Sequence, residues 1–275
     1  MKFLPRPFLF LSILLCTATA YAQLPVRKAG KFVKVNNARI YYEEYGKGEP
    51  LFLLHGFFNT AENWKDFVDD YAKKYRVIVW DMRGHGRSTN PDDHSDFKHK
   101  QAAVDLLEMM KVLKIEKANA IGHSSGGMVI LYAASMSPEK FEALIPVAAQ
   151  TYYTKAVREW VKSGVWENYF DQVELDSLHG RSKSDILKRQ FYGFELLKGD
   201  PAISNAQLQL IKARTLVVHG DNDFIPVDHA WNIYKNIPGA RLWISPNTGH
   251  LPQYGPGNDL DFIRRTMDFL KGEGW

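Results

Sequence analysis

Serine, histidine and aspartate are the side chains from which acyl-transfer chemistry is built, and the chain sets each where local sequence would present it. Ser124 stands in Gly122-His123-Ser124-Ser125-Gly126-Gly127, spaced G-x-S-x-G, between the apolar runs 118–121 and 128–134. Glycines at that spacing permit a tight strand-to-helix turn in which any Cβ would collide, and the turn lifts the serine hydroxyl clear of the backbone. The helix that begins there also favours negative charge. A serine hydroxyl is a poor nucleophile at neutral pH. It needs an adjacent base, whose imidazolium then needs an orienting carboxylate. Both types recur downstream: Asp221 and Asp223 in Gly220-Asp221-Asn222-Asp223, and His250 in Asn247-Thr248-Gly249-His250. The two aspartates compete for one role.

The elements that must carry these residues are visible in the hydrophobic pattern. Residues 32–45 alternate Val33 and Val35, then Ile40 and Tyr42, around Asn36-Asn37, which predicts a hairpin with one solvated face. Residues 51–54, 77–80, 118–121, 216–218 and 242–244 are continuous apolar runs, the pattern of parallel strands covered on both faces. Residues 143–147 add another strand, with Pro146 near its end because proline donates no ladder hydrogen bond. Between the runs, apolar side chains recur at helical spacing, as in Ala103, Leu106, Leu107 and Met110, in Ala230, Ile233, Tyr234 and Ile237, and in Leu260, Ile263, Met267 and Leu270. This alternation predicts an α/β sheet with helices on both faces and ligands beyond the carboxyl ends of its strands. Residues 151–212 break the rhythm with helical patterns alone, at 156–161 and 186–197. Without a repeat or low-complexity tract, they read as a helical cap on the same core.

Together the motifs resemble the α/β-hydrolase superfamily over nearly the whole chain beyond residue 22. The serine turn resembles that family's nucleophile elbow, and Ser, acid, His is its chain order. His55-Gly56-Phe57 resembles its His-Gly oxyanion segment, and Asp81-Met82-Arg83-Gly84-His85-Gly86-Arg87-Ser88 its D-x-R-G-x-G-x-S turn. The resemblance implies an α/β fold: an eight-stranded, mostly parallel sheet flanked by helices, with a helical cap inserted after strand 6. Residues 23–150 and 213–275 would form the core and 151–212 the cap. It implies Ser124 as nucleophile, His250 as general base and then acid, and Asp223 as the orienting acid, with Asp221 the rival. The backbone N–H groups of Phe57 and Ser125 would form the oxyanion hole. Phe57 and Phe58, beside that hole, are candidates to touch substrate. The activity so implied is hydrolysis of a small carboxylic ester, lactone or thioester through an acyl-enzyme, with no cofactor and no metal. Carbon–carbon bond hydrolysis or perhydrolysis on the same triad, and non-catalytic binding of a small ligand, are the alternatives. Relatives that open epoxides or displace halide carry aspartate at the elbow, so Ser124 argues against those reactions.

Composition narrows the partners. The 275 residues are 45% hydrophobic and 24% charged with a formal net charge of +4, which excludes a disordered chain and supplies no field suited to a phosphate backbone. The expected partner is a small-molecule acyl substrate, with no nucleic acid; oligomeric state is not legible. One cysteine, Cys16, leaves no disulfide framework and no cysteine-rich zinc site. Residues 1–22 join a basic head, Lys2 and Arg6, to the apolar run 8–16 and the exit Ala20-Tyr21-Ala22. That is the pattern of a cleavable secretory signal, and it predicts a periplasmic or secreted, bacterial protein. The run is shorter than the roughly 20 residues that span a bilayer, so no stable membrane insertion is expected after cleavage. His55, His85 and His123 are expected to support turns, and His94, His99, His179, His219 and His229 to be structural or solvent-facing. The nine aromatics of 151–212 are no enrichment over the 13% of the whole chain, which suits glue between cap and core.

Overall fold

The computed structural model describes residues 30–90, 97–194, 199–254 and 258–273. The expected secretory signal at 1–22 lies outside them. Eight strands, β1 (Lys31–Val35), β2 (Ala38–Tyr45), β3 (Glu49–Leu54), β4 (Tyr75–Trp80), β5 (Ala118–His123), β6 (Phe141–Val147), β7 (Arg214–Gly220) and β8 (Arg241–Ser245), form one sheet in the order β1-β2-β4-β3-β5-β6-β7-β8. The first two strands pair antiparallel with each other and β2 with β4, while β3 to β8 pair parallel. Asn36 and Asn37 both take positive φ, 43° and 64°, as the tight hairpin between β1 and β2 requires.

The helices are α1 (Val68–Ala72), α2 (His99–Val112), α3 (Ser125–Met136), α4 (Lys155–Lys162), α5 (Gln172–His179), α6 (Arg181–Gly193), α7 (Asn205–Gln209), α8 (Val227–Asn236) and α9 (Asn258–Lys271). Because strand side chains alternate, each parallel strand feeds two apolar layers. Phe52, Leu54, Ile78, Trp80 and Leu144 pack with Leu106 and Met110 of α2, Ile130 of α3 and Ile233 of α8. Leu51, Leu53, Val77, Val79 and Ile145 pack with Tyr71 of α1 and with Phe262 and Phe269 of α9. Fully burying one such side chain stabilises by about 1.5–3 kcal/mol, so the doubly covered strands are the rigid part of the molecule. A 2.6 Å hydrogen bond between the Tyr71 hydroxyl and Thr266 Oγ1 ties α1 to α9 inside the second layer.

Between β6 and β7 the chain is helical, running through α4, a 3-10 turn at Val165–Tyr169, α5, α6 and α7. Its starts are chemically marked. Thr154 accepts from the Val157 amide, Asp171 accepts from the Val173 and Glu174 amides, and Ser204 with Gln207 forms a reciprocal capping box. The helix expected from 186 begins earlier, at Arg181, because Gly180 with φ 78° ends α5 and reverses the chain. A bridge between Tyr152 and Ala202 closes the two ends of this segment, and α7 packs on α3 and α8. Among the described residues no helix is long and apolar enough to cross a membrane. The carboxyl ends of β3, β5, β7 and β8 all open on one rim, which delivers residues 55–58, 123–125, 221–223 and 247–250 to one place.

Candidate active site

At that rim Ser124 joins β5 to α3 with φ 50° and ψ −116°, a conformation unfavourable for any residue with a Cβ. Such strain costs about 1–3 kcal/mol and persists only where its surroundings over-determine it. They do here. The Ser124 amide donates to the Val147 carbonyl at 2.8 Å, and its own carbonyl accepts from the Met128 amide at 3.0 Å. A Cβ on Gly122 would collide with the Gly126 carbonyl, and one on Gly126 would lie 2.5 Å from the Leu54 carbonyl oxygen. The G-x-S-x-G spacing is therefore a requirement of backbone packing.

Ser124 Oγ lies 3.0 Å from His250 Nε2, and both carboxylate oxygens of Asp223 lie 3.0 Å from His250 Nδ1. Burial alone would raise the Asp223 carboxyl, but His250, His219 and the Ile225 amide outweigh it and hold it below the usual carboxylate value. An ionised Asp223 fixes the proton of neutral His250 on Nδ1 and leaves Nε2 to accept from Ser124. The Asp223 side chain is sealed from solvent whereas that of His250 is 23% exposed, so the imidazole has one open edge. The rival Asp221 is occupied otherwise: its Oδ1 accepts from the Thr248 amide and the Asn222 side chain, both at 3.1 Å. It holds the β8 loop that carries His250.

The segment after β3 lies against the serine. A Cβ on Gly56 would come within 3.3 Å of Ser124 Cβ, so the backbone of 56–57 passes directly beside Ser124. His55 fixes this segment, since its Nδ1–H donates to the Gly56 carbonyl at 2.7 Å and its Nε2 accepts from the Met82 amide at 2.8 Å. Burial keeps that ring neutral, with its pKa lowered to about 4. Ser125 is the first residue of α3, so its amide has no carbonyl a turn behind it to bond. Phe57 and Phe58 are buried under the β6–β7 segment. Phe57 meets Phe191 and Phe194 at ring separations of 5.7 and 4.8 Å, and Phe58 stacks on Trp166 at 5.1 Å.

Other histidines hold the arrangement: His123 was expected to support a turn, and His179 and His219 to be structural or solvent-facing, without partners being named. His123, neutral because burial lowers its pKa to about 3, donates from Nε2 to the His250 carbonyl at 2.8 Å. His179, on α5, accepts the Gly86 amide at 2.8 Å and donates to the Phe58 carbonyl at 3.0 Å. His219 donates to the Ile225 carbonyl at 2.8 Å beside Asp223. His99, His179 and His219 are all buried, and none faces solvent. For His99 and His179 the signal was unreadable because their partners lie far away in the sequence. The D-x-R-G-x-G-x-S turn is a brace: Asp81 accepts from the Ala61 amide and from the Arg87 backbone and side chain, while Arg83 forks onto Asp105 with two 2.8 Å bonds. No group of three or more His, Cys, Asp or Glu able to hold a metal lies among the described residues.

Known proteins share this plan. Residues 49–169 match the family model of the alpha/beta hydrolase fold. The chain is 29% identical to a 2-hydroxy-6-oxononadienedioate/2-hydroxy-6-oxononatrienedioate hydrolase of Comamonas testosteroni, over 90% of this chain and 99% of that protein. It is also 29% identical to the human serine hydrolase BPHL, over 79% of each. The crystal structure of a hydrolase from Pseudomonas aeruginosa superposes with a TM-score of 0.73 at 22% identity, covering 88% of this chain and 98% of that one. With its eight-stranded sheet and these relatives, the chain belongs to the α/β-hydrolase superfamily, as one of its serine hydrolases.

Proposed function

We propose that the chain hydrolyses a small carboxylic ester, lactone or thioester with an uncharged acyl or aryl group, through an acyl-enzyme on Ser124. His250 Nε2 takes the Ser124 proton as Oγ attacks the carbonyl carbon. The amides of Phe57 and Ser125 receive the oxyanion, a stabilisation worth about 3 kcal/mol per donor. His250 then protonates the departing alkoxide or thiolate. Water, deprotonated by the same nitrogen, attacks the acyl-enzyme and releases the acid. The observation that carries this reading is the unbroken line Ser124 Oγ, His250, Asp223, with 3.0 Å at each step and a strained serine at its head.

A second reading has its own support. The substrate named for the Comamonas testosteroni relative contains no ester, so a hydrolase acting on it must break a carbon–carbon bond. That substrate carries two carboxylates, whose burial needs cationic partners. Around Phe57 and Phe58 lie the rings of Phe97, Trp166, Phe170, Phe191 and Phe194, together with His85, which burial keeps neutral. Arg158, on α4, is already turned to the Tyr153 and Phe194 carbonyls. An uncharged acyl group suits these walls better.

The test is turnover of p-nitrophenyl esters from acetyl to dodecanoyl, beside 2-hydroxy-6-oxo-6-phenylhexa-2,4-dienoate, by wild type and a folded Ser124→Ala. Ester turnover with a chain-length optimum, lost in Ser124→Ala, is expected. Faster cleavage of the dienoate would replace the ester reading with the carbon–carbon one, and binding without turnover in either protein would make the chain a ligand-binding protein. We further propose that the protein works in the periplasm or outside the cell, supported by the pattern of residues 1–22. Mature protein beginning at Gln23 in the periplasmic fraction is the expected result.

A further inference from the structure

Beside the nucleophile lies a second serine in an equivalent hydrogen-bond chain. Ser125 Oγ is 2.9 Å from His99 Nε2, and His99 Nδ1 is 2.7 Å from Asp200 Oδ2. Asp200 also accepts the backbone amides of His99 at 2.6 Å and Lys100 at 3.1 Å, so it caps the start of α2, where the Lys98 side chain offers no cap. Burial would raise the Asp200 carboxyl, but His99 and these two amides hold it below its ordinary value. The carboxylate therefore accepts at both oxygens, His99 carries its proton on Nδ1, and Ser125 donates its hydroxyl to Nε2. The rings of Phe97, Tyr153 and Phe194 surround His99, and all three members are buried. In such a dry place hydrogen bonds are stiff, and breaking one leaves an unpaired buried group.

The three members come from three parts of the chain. Ser125 begins α3, His99 begins α2, and Asp200 lies in the helical segment between β6 and β7. Building on the ester-hydrolase reading, in which the Ser125 amide faces the oxyanion, we propose that His99 and Asp200 are positioning residues for the oxyanion hole. They anchor the Ser125 side chain, hold its amide in line with the developing charge, and make that alignment depend on the seating of the β6–β7 segment. Nothing is transferred along the chain, and Ser125, buried beside a half-buried neighbour, is an anchor and not a second nucleophile.

The experiment reads the rate at which a fluorophosphonate probe labels Ser124. Labelling forms the Ser124 Oγ–phosphorus bond and expels fluoride, and it calls on the same oxyanion donors whatever the natural substrate. Ser125→Ala keeps the amide and removes the anchor; His99→Gln and Asp200→Asn cut the chain further back. Each is expected to label about 10-fold more slowly, to lower kcat on a p-nitrophenyl ester by a similar factor, and to leave KM within about twofold. The Ser125→Ala/His99→Gln double variant should lose no more than the worse single, because one linkage is broken twice. Wild-type labelling rates in Ser125→Ala, or additive losses in the double variant, would overturn the proposal while leaving the serine-hydrolase reading intact. Should His99→Gln or Asp200→Asn fail to fold, the Ser125→Ala rate decides alone. A wild-type protein not labelled at Ser124 would remove both readings.

Discussion

Ser124 and Ser125 are neighbours, and each reaches an imidazole backed by a carboxylate, yet the two arrays differ in everything except their bonding. The spans are similar, 3.0 and 3.0 Å on one side and 2.9 and 2.7 Å on the other. His250 keeps 23% of its side chain open whereas His99 is sealed. Ser124 is held at φ 50° on a strained turn, and Ser125 sits relaxed as the first residue of a helix. Hydrogen-bond geometry alone thus does not make a nucleophile. In the roles proposed for them, access and backbone strain separate the reacting serine from the anchoring one.

The largest effect that tests this contrast is the loss of the strained hydroxyl. Ser124→Ala should lower kcat by at least about 10⁴-fold, against about 10-fold for Ser125→Ala; comparable losses in steady-state assays would break the comparison. Next comes the acid. Asp223→Asn should cost about 10⁴-fold in kcat by favouring the wrong histidine tautomer. Asp221→Asn should keep kcat within about threefold and instead lose about 1 kcal/mol of stability in urea unfolding, the worth of its loop hydrogen bonds. Gly122→Ala probes the strained turn from below. Its methyl would strike the Gly126 carbonyl, so about 3 kcal/mol of destabilisation is expected in the same unfolding assay.

A last effect is graded with pH. His55 and His123 have folded-state pKa values of about 4 and about 3, below the ordinary 6.5, because burial disfavours their charged forms. As pH falls below about 6.5 the unfolded chain takes up these protons first, so stability is complete above that pH and drains away towards the folded values. Each histidine contributes a slope of about 1.4 kcal/mol per pH unit inside its window. Urea midpoints at pH 7, 5.5 and 4.5 should record the decline, and a folded His123→Gln should flatten it.

Much of this was legible in the chain. Strands β3 to β8 announce themselves as short apolar runs because both faces are covered, and Ser124, Asp223 and His250 follow such runs within local motifs. The choice between Asp221 and Asp223 rested on resemblance alone, and only geometry shows which carboxylate faces the imidazole. The helical character between β6 and β7 was visible, but the early start of α6 depended on the positive φ of Gly180, which composition does not reveal. His99, His179 and Asp200 were opaque for a different reason. A hydrogen bond between residues 101 positions apart leaves no periodicity, and a buried histidine with one tertiary partner looks in sequence like any other polar residue.

The stack that joins α4 to the His250 imidazole through Phe224 has an optical consequence. Trp160 lies flat on Phe224, with 4.3 Å between ring centres and 16° between planes, and Phe224 in turn lies 4.4 Å from the His250 ring. A single phenyl ring thus separates an indole fluorophore from the imidazole proposed to shuttle the proton. Trp160 is one of seven tryptophans, so its emission is read as the difference between wild type and Trp160→Phe in a stopped-flow fluorimeter, where it will register displacement of either neighbour with no chromogenic substrate.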